Sequence, residues 1–433
     1  MLSALPLLFD AVLFDLDGTL VATDRFWVDA ARTGAKAAFS ELGIQRDMPS
    51  AAEWMQLVGM PLAAGFELLF PDLSPEQRAR VLARCVEQEN HALRAGQATL
   101  LPGVVEALTE LRERGVKIGL ASNCGQSYLD AMLGELGLGR FVHEARCLDT
   151  PRMQSKATMI ADLLDTFATR AAVFVGDRLS DRDAAWENGL PHVHVTRGFA
   201  RYGRGGAGEE VAAEGVIDEL SELLPRLERR SAWVLDALQR IGAGPSTRAI
   251  GITGHSGCGK TLFARDVARV LESRGQRAAV VALDDFFHAP PAAADLSATA
   301  FFPIDKPLDH LTRAFDVDEL VARVLAPHAR GEPVAVQRGS AHIDVPADAL
   351  LVVQGLFLLH PAVRPHLERV IHLQVSEGLS LRRVAGRDAR SQGPESLVRV
   401  RRHFLPTQRA FDEAFPAAQH ADLVLDAENA LGA

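Results

Sequence analysis

The chain has 433 residues, of which 48% are hydrophobic and 24% charged, and its formal net charge is −10. A chain of this length exceeds what one hydrophobic core usually serves, so we expect at least two compact domains. The composition is typical of globular proteins and argues against disordered or fibrous chains, and the acidic balance provides no general attraction for nucleic acid.

Short apolar segments alternate with helical stretches along most of the chain. The predicted strands are residues 10–16, 116–121, 171–175, 249–253, 278–283, 350–353 and 370–375. This alternation predicts parallel sheets with helices on both faces. Residues 25–97 differ because they read as consecutive helices, with Pro75 in a first helical turn, and they predict an inserted helical subdomain.

These elements predict an α/β chain with two doubly wound parallel-sheet domains. The expected limits are residues 1–230 for the first domain (core 1–20 and 100–230, helical cap 21–99), 231–246 for a linker helix and loop, and 247–433 for the second domain.

Acidic side chains follow the first predicted strand. Asp15 and Asp17 lie in one turn there, where a nucleophile and a proton donor could share one phosphorus atom. Further polar residues follow near later strand ends: Ser122, Lys156, Asp177 and Asp181. Since the carboxyl ends of parallel strands meet at one edge of a sheet, we expect these groups to converge. Taken singly, each aspartate could equally be a turn or cap residue.

This ordered set resembles the haloacid dehalogenase-like phosphatases with a helical cap, such as phosphoglycolate phosphatase and β-phosphoglucomutase, over about residues 8–230. The resemblance implies a Rossmann-like core in which Asp15 attacks phosphorus to form an aspartyl phosphate. It also implies that Asp17 protonates the leaving oxygen and then activates water. A cap over such a site restricts entry to small phosphorylated molecules.

The same resemblance implies a Mg²⁺ site and a phosphate cradle. Asp177 would bind Mg²⁺ together with Asp15 and the backbone carbonyl of Asp17, and Asp181 would support that metal shell. Ser122 and Lys156 would hold the phosphoryl oxygens, although Lys117 competes with Lys156 for the cationic role.

A phosphate-binding loop lies between the predicted strand 249–253 and a predicted helix. Its residues are Gly254, His255, Ser256, Gly257, Cys258, Gly259, Lys260 and Thr261. The glycines let backbone N–H groups face one concavity, Lys260 reaches the β- and γ-phosphates, and Thr261 supplies a Mg²⁺ ligand. The sequence therefore predicts an ATP site.

The second domain resembles the uridine kinases and phosphoribulokinases, which have the P-loop NTPase fold, over about residues 247–427. The segments LDDFF, LLVVQGLFLL, SLRRVAGRDAR and HADLVLD carry this resemblance. It implies that Asp284, which also lies near Mg²⁺, accepts the proton of the acceptor hydroxyl, with Asp285 as the adjacent alternative. It further implies that Arg387 and Arg390 lie in a lid over the ATP phosphates.

One position departs from that family. Where the family carries Glu-Gly after a hydrophobic strand, this chain has Gln354 and Gly355. An amide keeps an oxygen ligand for Mg²⁺ but removes a negative charge from its surroundings.

The four cysteines have no CxxC spacing, so neither a zinc site nor a disulfide framework is indicated, and a reducing cytoplasm is the expected location. The N-terminus lacks the basic segment of a signal peptide, and no apolar run approaches the roughly 20 residues of a membrane-spanning helix. We therefore expect a cytoplasmic chain with no membrane partner. The oligomeric state is left open.

We interpret the chain as a bifunctional enzyme that uses Mg²⁺ and ATP. One half would be a phosphatase of a small sugar or nucleoside phosphate, and the other a kinase of a small nucleoside- or sugar-like alcohol. Two alternatives stay open. One is polynucleotide end processing, against which the cap and the acidic balance argue. The other is a phosphatase with a regulatory nucleotide-binding domain that transfers no phosphate, which Gln354 motivates.

Overall fold

The computed structural model describes residues 6–203, 208–244, 246–288, 314–338, 341–392, 398, 400–428 and 431. The chain forms two compact units. The N-terminal unit consists mainly of Phe9–Leu227, and the main part of the C-terminal unit begins at Glu228. Within the described residues, no helix has the length and apolar character needed to span a membrane.

The N-terminal unit contains a six-stranded parallel sheet with the strand order β3-β2-β1-β4-β5-β6. Its strands are β1 (Ala11–Phe14), β2 (Lys117–Ala121), β3 (Glu144–Arg146), β4 (Ala172–Gly176), β5 (His192–Val195) and β6 (Gly215–Ile217). Every residue of β1 and β4 is buried, as expected for central strands of a parallel sheet that is covered on both faces. The loops that follow β1, β2 and β4 therefore leave the sheet side by side.

Four of the helices between β1 and β2 form a cap. They are α1 (Trp27–Leu42), α2 (Ala51–Met55), α3 (Leu62–Leu69) and α4 (Pro75–Arg94). Pro75 is the first residue of α4, as predicted, and Ser74 caps this helix by accepting a hydrogen bond from the Gln77 backbone. Trp54 is fully buried and packs edge-to-face against Trp27, Phe66 and Phe70.

Five further helices complete this part of the chain. They are α5 (Val104–Glu113), α6 (Gln126–Glu135), α7 (Lys156–Thr166), α8 (Leu179–Glu187) and α9 (Leu223–Arg240). Leu13 and Phe174 of the sheet pack with Ile160 and Leu163 of α7 in one buried hydrophobic cluster. Helix α9 runs through residue 230, and the predicted domain limits stay predictions.

The C-terminal unit contains a five-stranded parallel sheet with the order β13-β12-β7-β11-β8, and a separate antiparallel pair, β9 and β10. The strands are β7 (Ala249–Gly254), β8 (Ala278–Ala282), β9 (Val334–Arg338), β10 (Ala341–Val345), β11 (Leu350–Gln354), β12 (Arg369–Gln374) and β13 (Leu423–Asp426). The helices are α10 (Lys260–Glu272), α11 (Val317–Leu320), α12 (Ala326–Ala329), α13 (Glu377–Gln392), α14 (Leu405–Ala414) and α15 (Ala417–His420). Two separate hydrophobic clusters pack against the five-stranded sheet.

The predicted fold class is confirmed, with a parallel sheet in each unit. All seven predicted strands are present, each within two residues of its expected ends. The described part of the chain contains six more strands, β3, β5, β6, β9, β10 and β13. Strands such as Glu144–Arg146 are short and half-buried, so they lack the apolar run by which the others were recognised.

The contact between α1 and α4 generates a stability prediction. Gly34 lies inside α1, and a Cβ atom there would lie 2.5 Å from the carbonyl oxygen of Arg84, which belongs to the backbone of α4. Gly134 lies inside α6 with open space around the same position. Glycine to alanine normally stabilises a helix by roughly 0.5–1 kcal/mol, because alanine loses less backbone entropy on folding.

We therefore expect opposite signs for two matched variants. Gly134→Ala should raise the free energy of unfolding by about 0.5 kcal/mol, whereas Gly34→Ala should lower it by about 1–3 kcal/mol because the two helices must separate. Urea denaturation followed by circular dichroism measures both. A stabilised Gly34→Ala variant would contradict the close packing of α1 on α4.

Candidate active sites

The carboxyl ends of three neighbouring strands bring the site residues predicted in the N-terminal unit together. Asp15 follows β1, Ser122 follows β2 and Asp177 follows β4. Lys156 is the first residue of α7, and Asp181 lies in the first turn of α8. All five side chains are more than nine-tenths buried. These side chains therefore lie in an environment from which bulk water is largely excluded.

Lys156 lies between two carboxylates. Its Nζ is 2.7 Å from Oδ1 of Asp15 and 2.5 Å from Oδ1 of Asp181. The other oxygen of Asp181 accepts hydrogen bonds from the backbone N–H groups of Asp177 and Arg178. By contrast, Oδ2 of Asp15 is buried and has no hydrogen-bond partner among the described residues. Asp181 is thus occupied with holding Lys156 and the loop after β4, while Asp15 keeps one oxygen available.

Lys117, the alternative to Lys156 in the sequence analysis, makes a different contact. Lys117 is the first residue of β2, and its Nζ donates a hydrogen bond to the carbonyl of Phe167 over 3.0 Å. The structure brings Lys156, and not Lys117, into contact with Asp15.

The cluster contains three carboxyl groups and one ammonium group. Oxygens of Asp15, Asp177 and Asp181 lie within 4.8 Å of one another. Burial, with repulsion from Asp181, raises the pKa of Asp15 to about 7, and the same two causes raise the pKa of Asp177 well above its usual value. Burial would also raise the pKa of Asp181, but the charge and hydrogen bond of Lys156 outweigh it and leave that pKa below its usual value. An all-oxygen donor set with excess negative charge suits Mg²⁺.

Asp17 is held by two hydroxyl groups that the sequence analysis did not identify. Its Oδ1 accepts hydrogen bonds of 2.6 Å from Thr23 Oγ1 and from the hydroxyl of Tyr128. Burial raises the pKa of Asp17, and these two hydrogen bonds lower it in part. A carboxyl group with a raised pKa is suited to donate and accept a proton near neutral pH.

Gly18 allows the loops after β1 and β4 to touch. Its φ is +81°, and a Cβ there would lie 2.4 Å from Oδ2 of Asp177. Next to it, Thr19 Oγ1 donates to Oδ1 of Asp177 over 3.3 Å, and the backbone N–H of Phe199 donates to Oδ2. Any larger residue at position 18 would both strain the backbone and displace Asp177.

The cap lies directly over Asp17. Arg178 Nη1 donates to the carbonyl of Val58 over 2.8 Å, and Asn123 Nδ2 donates to the carbonyl of Gly59 over 2.9 Å. These bonds close one turn of the cap onto the core and leave a cavity of about 90 Å³. Core and cap both line it, the core through Asp17, Ser122 and Tyr128, and the cap through Trp27, Leu57 and Glu89.

The phosphate loop in the C-terminal unit has the glycine-dependent backbone that such a loop requires. Gly254, Gly257 and Gly259 have φ values of 137°, 76° and 92°. A Cβ at Gly257 would lie 2.8 Å from the carbonyl oxygen of Ser380. The loop runs from the end of β7 to the start of α10, where Lys260 is the first residue of the helix. Backbone N–H groups at this helix start suit an anion.

Side chains of the phosphate loop have defined partners. Lys260 Nζ donates to the carbonyl of His255 over 2.8 Å. His255 Nε2 lies 2.5 Å from Oδ2 of Asp412, and the backbone N–H of Ser256 donates to Gln408 Oε1 over 3.0 Å. Asp412 and Gln408 both belong to α14. Cys258 of the loop is buried in a hydrophobic cluster.

Besides Thr261 of the loop, candidate polar residues lie at the ends of two adjacent strands, β11 and β8. Thr261 Oγ1 is 3.4 Å from Oε1 of Gln354, which ends β11 and is buried. Asp284 follows β8, the neighbour of β11, and its side chain is exposed. Asp285 is partly buried, and its Oδ2 accepts a hydrogen bond of 3.4 Å from the backbone of Ala282. Asp284 is therefore the more accessible of the two candidate bases.

Helix α13 touches the phosphate loop through residues other than the predicted arginines. Arg383 Nη1 donates to the carbonyl of Gly257 over 3.3 Å, and Ser380 Oγ donates to the carbonyl of Ser256. Arg387 instead pairs with Asp388 at 2.7 Å and is half exposed. The side chain of Arg390 lies outside the described residues, so its position in a lid, like that of Arg387, stays a prediction.

Comparisons with protein families match both halves of the chain. Residues 12–195 match the family described as haloacid dehalogenase-like hydrolase, and residues 249–429 match the phosphoribulokinase and uridine kinase family. Both resemblances inferred from the sequence are confirmed. The first match contains the aspartate cluster, and the second contains the phosphate loop.

Curated relatives of the N-terminal half are phosphatases. A phosphoglycolate phosphatase from Synechococcus elongatus is 32% identical over 191 residues, which is 44% of this chain and 84% of the relative. A glyceraldehyde 3-phosphate phosphatase from Methanopyrus kandleri is 27% identical over 43% of this chain and 84% of the relative. Among solved structures, a predicted phosphoglycolate phosphatase from Haemophilus somnus covers 50% of this chain and 97% of its own, with 19% identity and a TM-score of 0.45.

The charge excess around Lys156 generates a prediction about metal and pH. Because burial raises the pKa of Asp15 in the folded state, its contribution to stability is greatest at low pH and is lost as the pH rises through about 7. Asp177, whose pKa is also raised, contributes with the same sign. Without metal, we therefore expect the N-terminal unit to be less stable at pH 8 than at pH 6.

Mg²⁺ should restore this stability, because a divalent cation favours the ionised carboxylates. The rise in melting temperature on adding Mg²⁺ to EDTA-treated protein should be about 2 °C or more larger at pH 8 than at pH 6. Asp177→Asn should lose this difference, whereas Asp183→Asn, at an exposed residue of α8, should keep it. An equal Mg²⁺ effect at both pH values would contradict the proposed charge excess.

Proposed function

We propose that this chain, which belongs to the haloacid dehalogenase-like hydrolases in its N-terminal half and to the phosphoribulokinase and uridine kinase family in its C-terminal half, is a bifunctional enzyme. The N-terminal half hydrolyses a small phosphate monoester, and the C-terminal half transfers phosphate from ATP to a small alcohol. The observation that carries this proposal is the buried Asp15–Lys156–Asp181 cluster in a unit separate from the phosphate loop.

In the phosphatase half, Asp15 is the nucleophile. Its free oxygen bonds to phosphorus while the bond from phosphorus to the ester oxygen breaks, and Asp17 gives its proton to that leaving oxygen. Asp17 then accepts a proton from water as the water oxygen attacks phosphorus and releases Asp15. The hydrogen bonds from Thr23 and Tyr128 support this role, because they fix Asp17 in one orientation.

The surrounding residues bind and neutralise the phosphoryl group. Lys156 offsets its negative charge, Ser122 donates to one of its oxygens, and Asp181 positions Lys156. Asp15, Asp177 and the backbone carbonyl of Asp17 would hold Mg²⁺, and the unbalanced carboxylates support this assignment. The metal ion, when bound, neutralises charge on the phosphoryl oxygens.

In the kinase half, Lys260 and the backbone N–H groups of the phosphate loop bind the ATP phosphates. Asp284 takes the proton of the acceptor hydroxyl as the alcohol oxygen attacks the γ-phosphorus. Thr261 and Gln354 would hold Mg²⁺, which Asp284 would also approach, and the proximity of Thr261 to the Gln354 amide oxygen supports this pairing. An amide in place of a carboxylate leaves one charge less to attract the metal ion.

The two activities should be separable by single substitutions. Asp15→Asn should abolish phosphate release from phosphate monoesters, with a loss of about a thousandfold or more, because an amide is a poor nucleophile. It should leave ATP binding unchanged. Lys260→Ala should have the converse effect. It should lower the rate of phosphotransfer from ATP by about a hundredfold or more.

The experiment measures phosphate release and ATP consumption for both variants, with each serving as the control for the other. A library of small alcohols supplies the kinase acceptor. Retention of most phosphatase turnover by Asp15→Asn would exclude the aspartyl-phosphate mechanism. ATP binding without transfer to any acceptor would instead favour a regulatory nucleotide-binding domain.

A further inference from the structure

The cavity beside Asp17 is lined by two carboxyl groups and, among the described residues, by no cationic side chain. None of the described residues that line it is Lys, Arg or His, and its two ionisable carboxyl groups are Asp17 and Glu89. Arg178 reaches the wall of this cavity through its bond to the Val58 carbonyl, but its guanidinium pairs with Glu209 at 2.8 Å. A ligand in this cavity therefore meets acceptor oxygens, and none of the described residues offers it an unpaired cation.

Glu89 is buried on the cavity side of α4. Only 7% of the residue is exposed, and Val86 of the same helix lines the cavity with it. Its side chain has a hydrogen bond with Trp27, but burial and the nearby Asp17 raise its pKa to about 8, so Glu89 is fully ionised only above that pH. Two residues earlier in the same helix, Glu87 is exposed and pairs instead with Arg84 at 2.6 Å. Of these two neighbouring glutamates, one lines the cavity and the other lies in solvent.

Asn123 provides a second acceptor in the same cavity. Its Nδ2 donates to the carbonyl of Gly59, which fixes the orientation of the amide. Its Oδ1 is buried and has no hydrogen-bond partner among the described residues. A buried acceptor without a partner is costly, so a donor on the ligand stabilises this position.

We infer that the phosphatase half acts on phosphate monoesters whose organic part carries hydrogen-bond donors, hydroxyl or ammonium groups, and no carboxylate. This inference rests on the proposed function, since Asp17 can protonate the leaving oxygen only if the organic part lies in this cavity. Hydroxyl and ammonium groups can donate to Glu89 and Asn123. A carboxylate would be buried against Glu89 without a cation to balance it.

The substrates inferred for this chain differ from the substrate that the names of several relatives describe. Phosphoglycolate ends in a carboxylate, whereas glyceraldehyde 3-phosphate carries a hydroxyl group. The cavity accommodates the second kind of end group and repels the first. Substrates of the hydroxyl-bearing class are therefore expected even though phosphoglycolate phosphatases are among the relatives.

Three esters of equal chain length test this inference on the full chain with Mg²⁺. They are 2-hydroxyethyl phosphate, 2-aminoethyl phosphate and 2-phosphoglycolate, which differ only in a neutral, positive or negative end group. We expect kcat/KM for the first two to exceed that for phosphoglycolate by about tenfold or more. Equal or faster hydrolysis of phosphoglycolate would overturn the inference.

Glu89→Gln identifies the residue responsible. At pH 9, where Glu89 is ionised, the amide retains the size and one acceptor oxygen but removes the charge, so the ratio of kcat/KM for phosphoglycolate to that for 2-aminoethyl phosphate should rise by about tenfold. Glu87→Gln is the matched control on the same helix, and it should leave that ratio unchanged. A Glu89→Gln variant with the wild-type ratio would show that Glu89 does not determine this substrate preference.

Binding of the corresponding phosphonates, in which a methylene group replaces the ester oxygen, separates the inference from the proposed activity. Calorimetry on the wild-type chain should give weaker binding for the carboxylate-ended phosphonate than for the other two. If no ester is hydrolysed, the proposed phosphatase activity fails, and this order of binding still supports the inference. Stronger or equal binding of the carboxylate-ended phosphonate overturns it.

Discussion

The placement of Lys156 between Asp15 and Asp181 is the interaction on which the N-terminal unit's site depends. It anchors Asp181, which in turn holds the backbone of the loop after β4, where Asp177 begins. One ammonium group does not balance the nearby carboxylates, and the remaining negative charge provides the attraction for a divalent cation. The same ammonium leaves one oxygen of Asp15 without a partner among the described residues, so a single cation both holds the cluster together and leaves the proposed nucleophile accessible.

The parallel sheet explains why residues distant in sequence meet. Strands β1, β2 and β4 are neighbours, so the loops that follow them converge at one edge, and the cap then covers that edge. In the proposed reaction, chemistry and substrate selection belong to different layers. The core would supply the reacting aspartates, and the cap supplies Glu89, which lines the cavity. In the C-terminal unit the candidate site also lies at strand ends, those of β7, β8 and β11. There a backbone loop takes the place of the carboxylate cluster.

How well each site could be predicted from sequence depends on how close together its residues lie in the chain. Residues 254–261 form one continuous loop whose glycines and lysine act together, so the pattern alone identified it. Asp15 and Asp17 were recognised for the same reason, because both directly follow one buried strand. Tyr128, Glu89 and Arg383 contact the sites only because helices from elsewhere in the chain pack there. No motif marks them, since their roles depend on tertiary structure, and the half-buried strands such as β3 were missed because they lack an apolar run.

The central claim is that Asp15 forms a covalent bond to phosphorus, and trapping that bond tests it most directly. Protein turning over a phosphate monoester is quenched and treated with hydroxylamine, which converts an aspartyl phosphate to a hydroxamate, and peptides are then analysed by mass spectrometry. The account predicts a hydroxamate on Asp15 that is absent without substrate. A hydroxamate on Asp17, or phosphate release at full rate with no trapped residue, would contradict it.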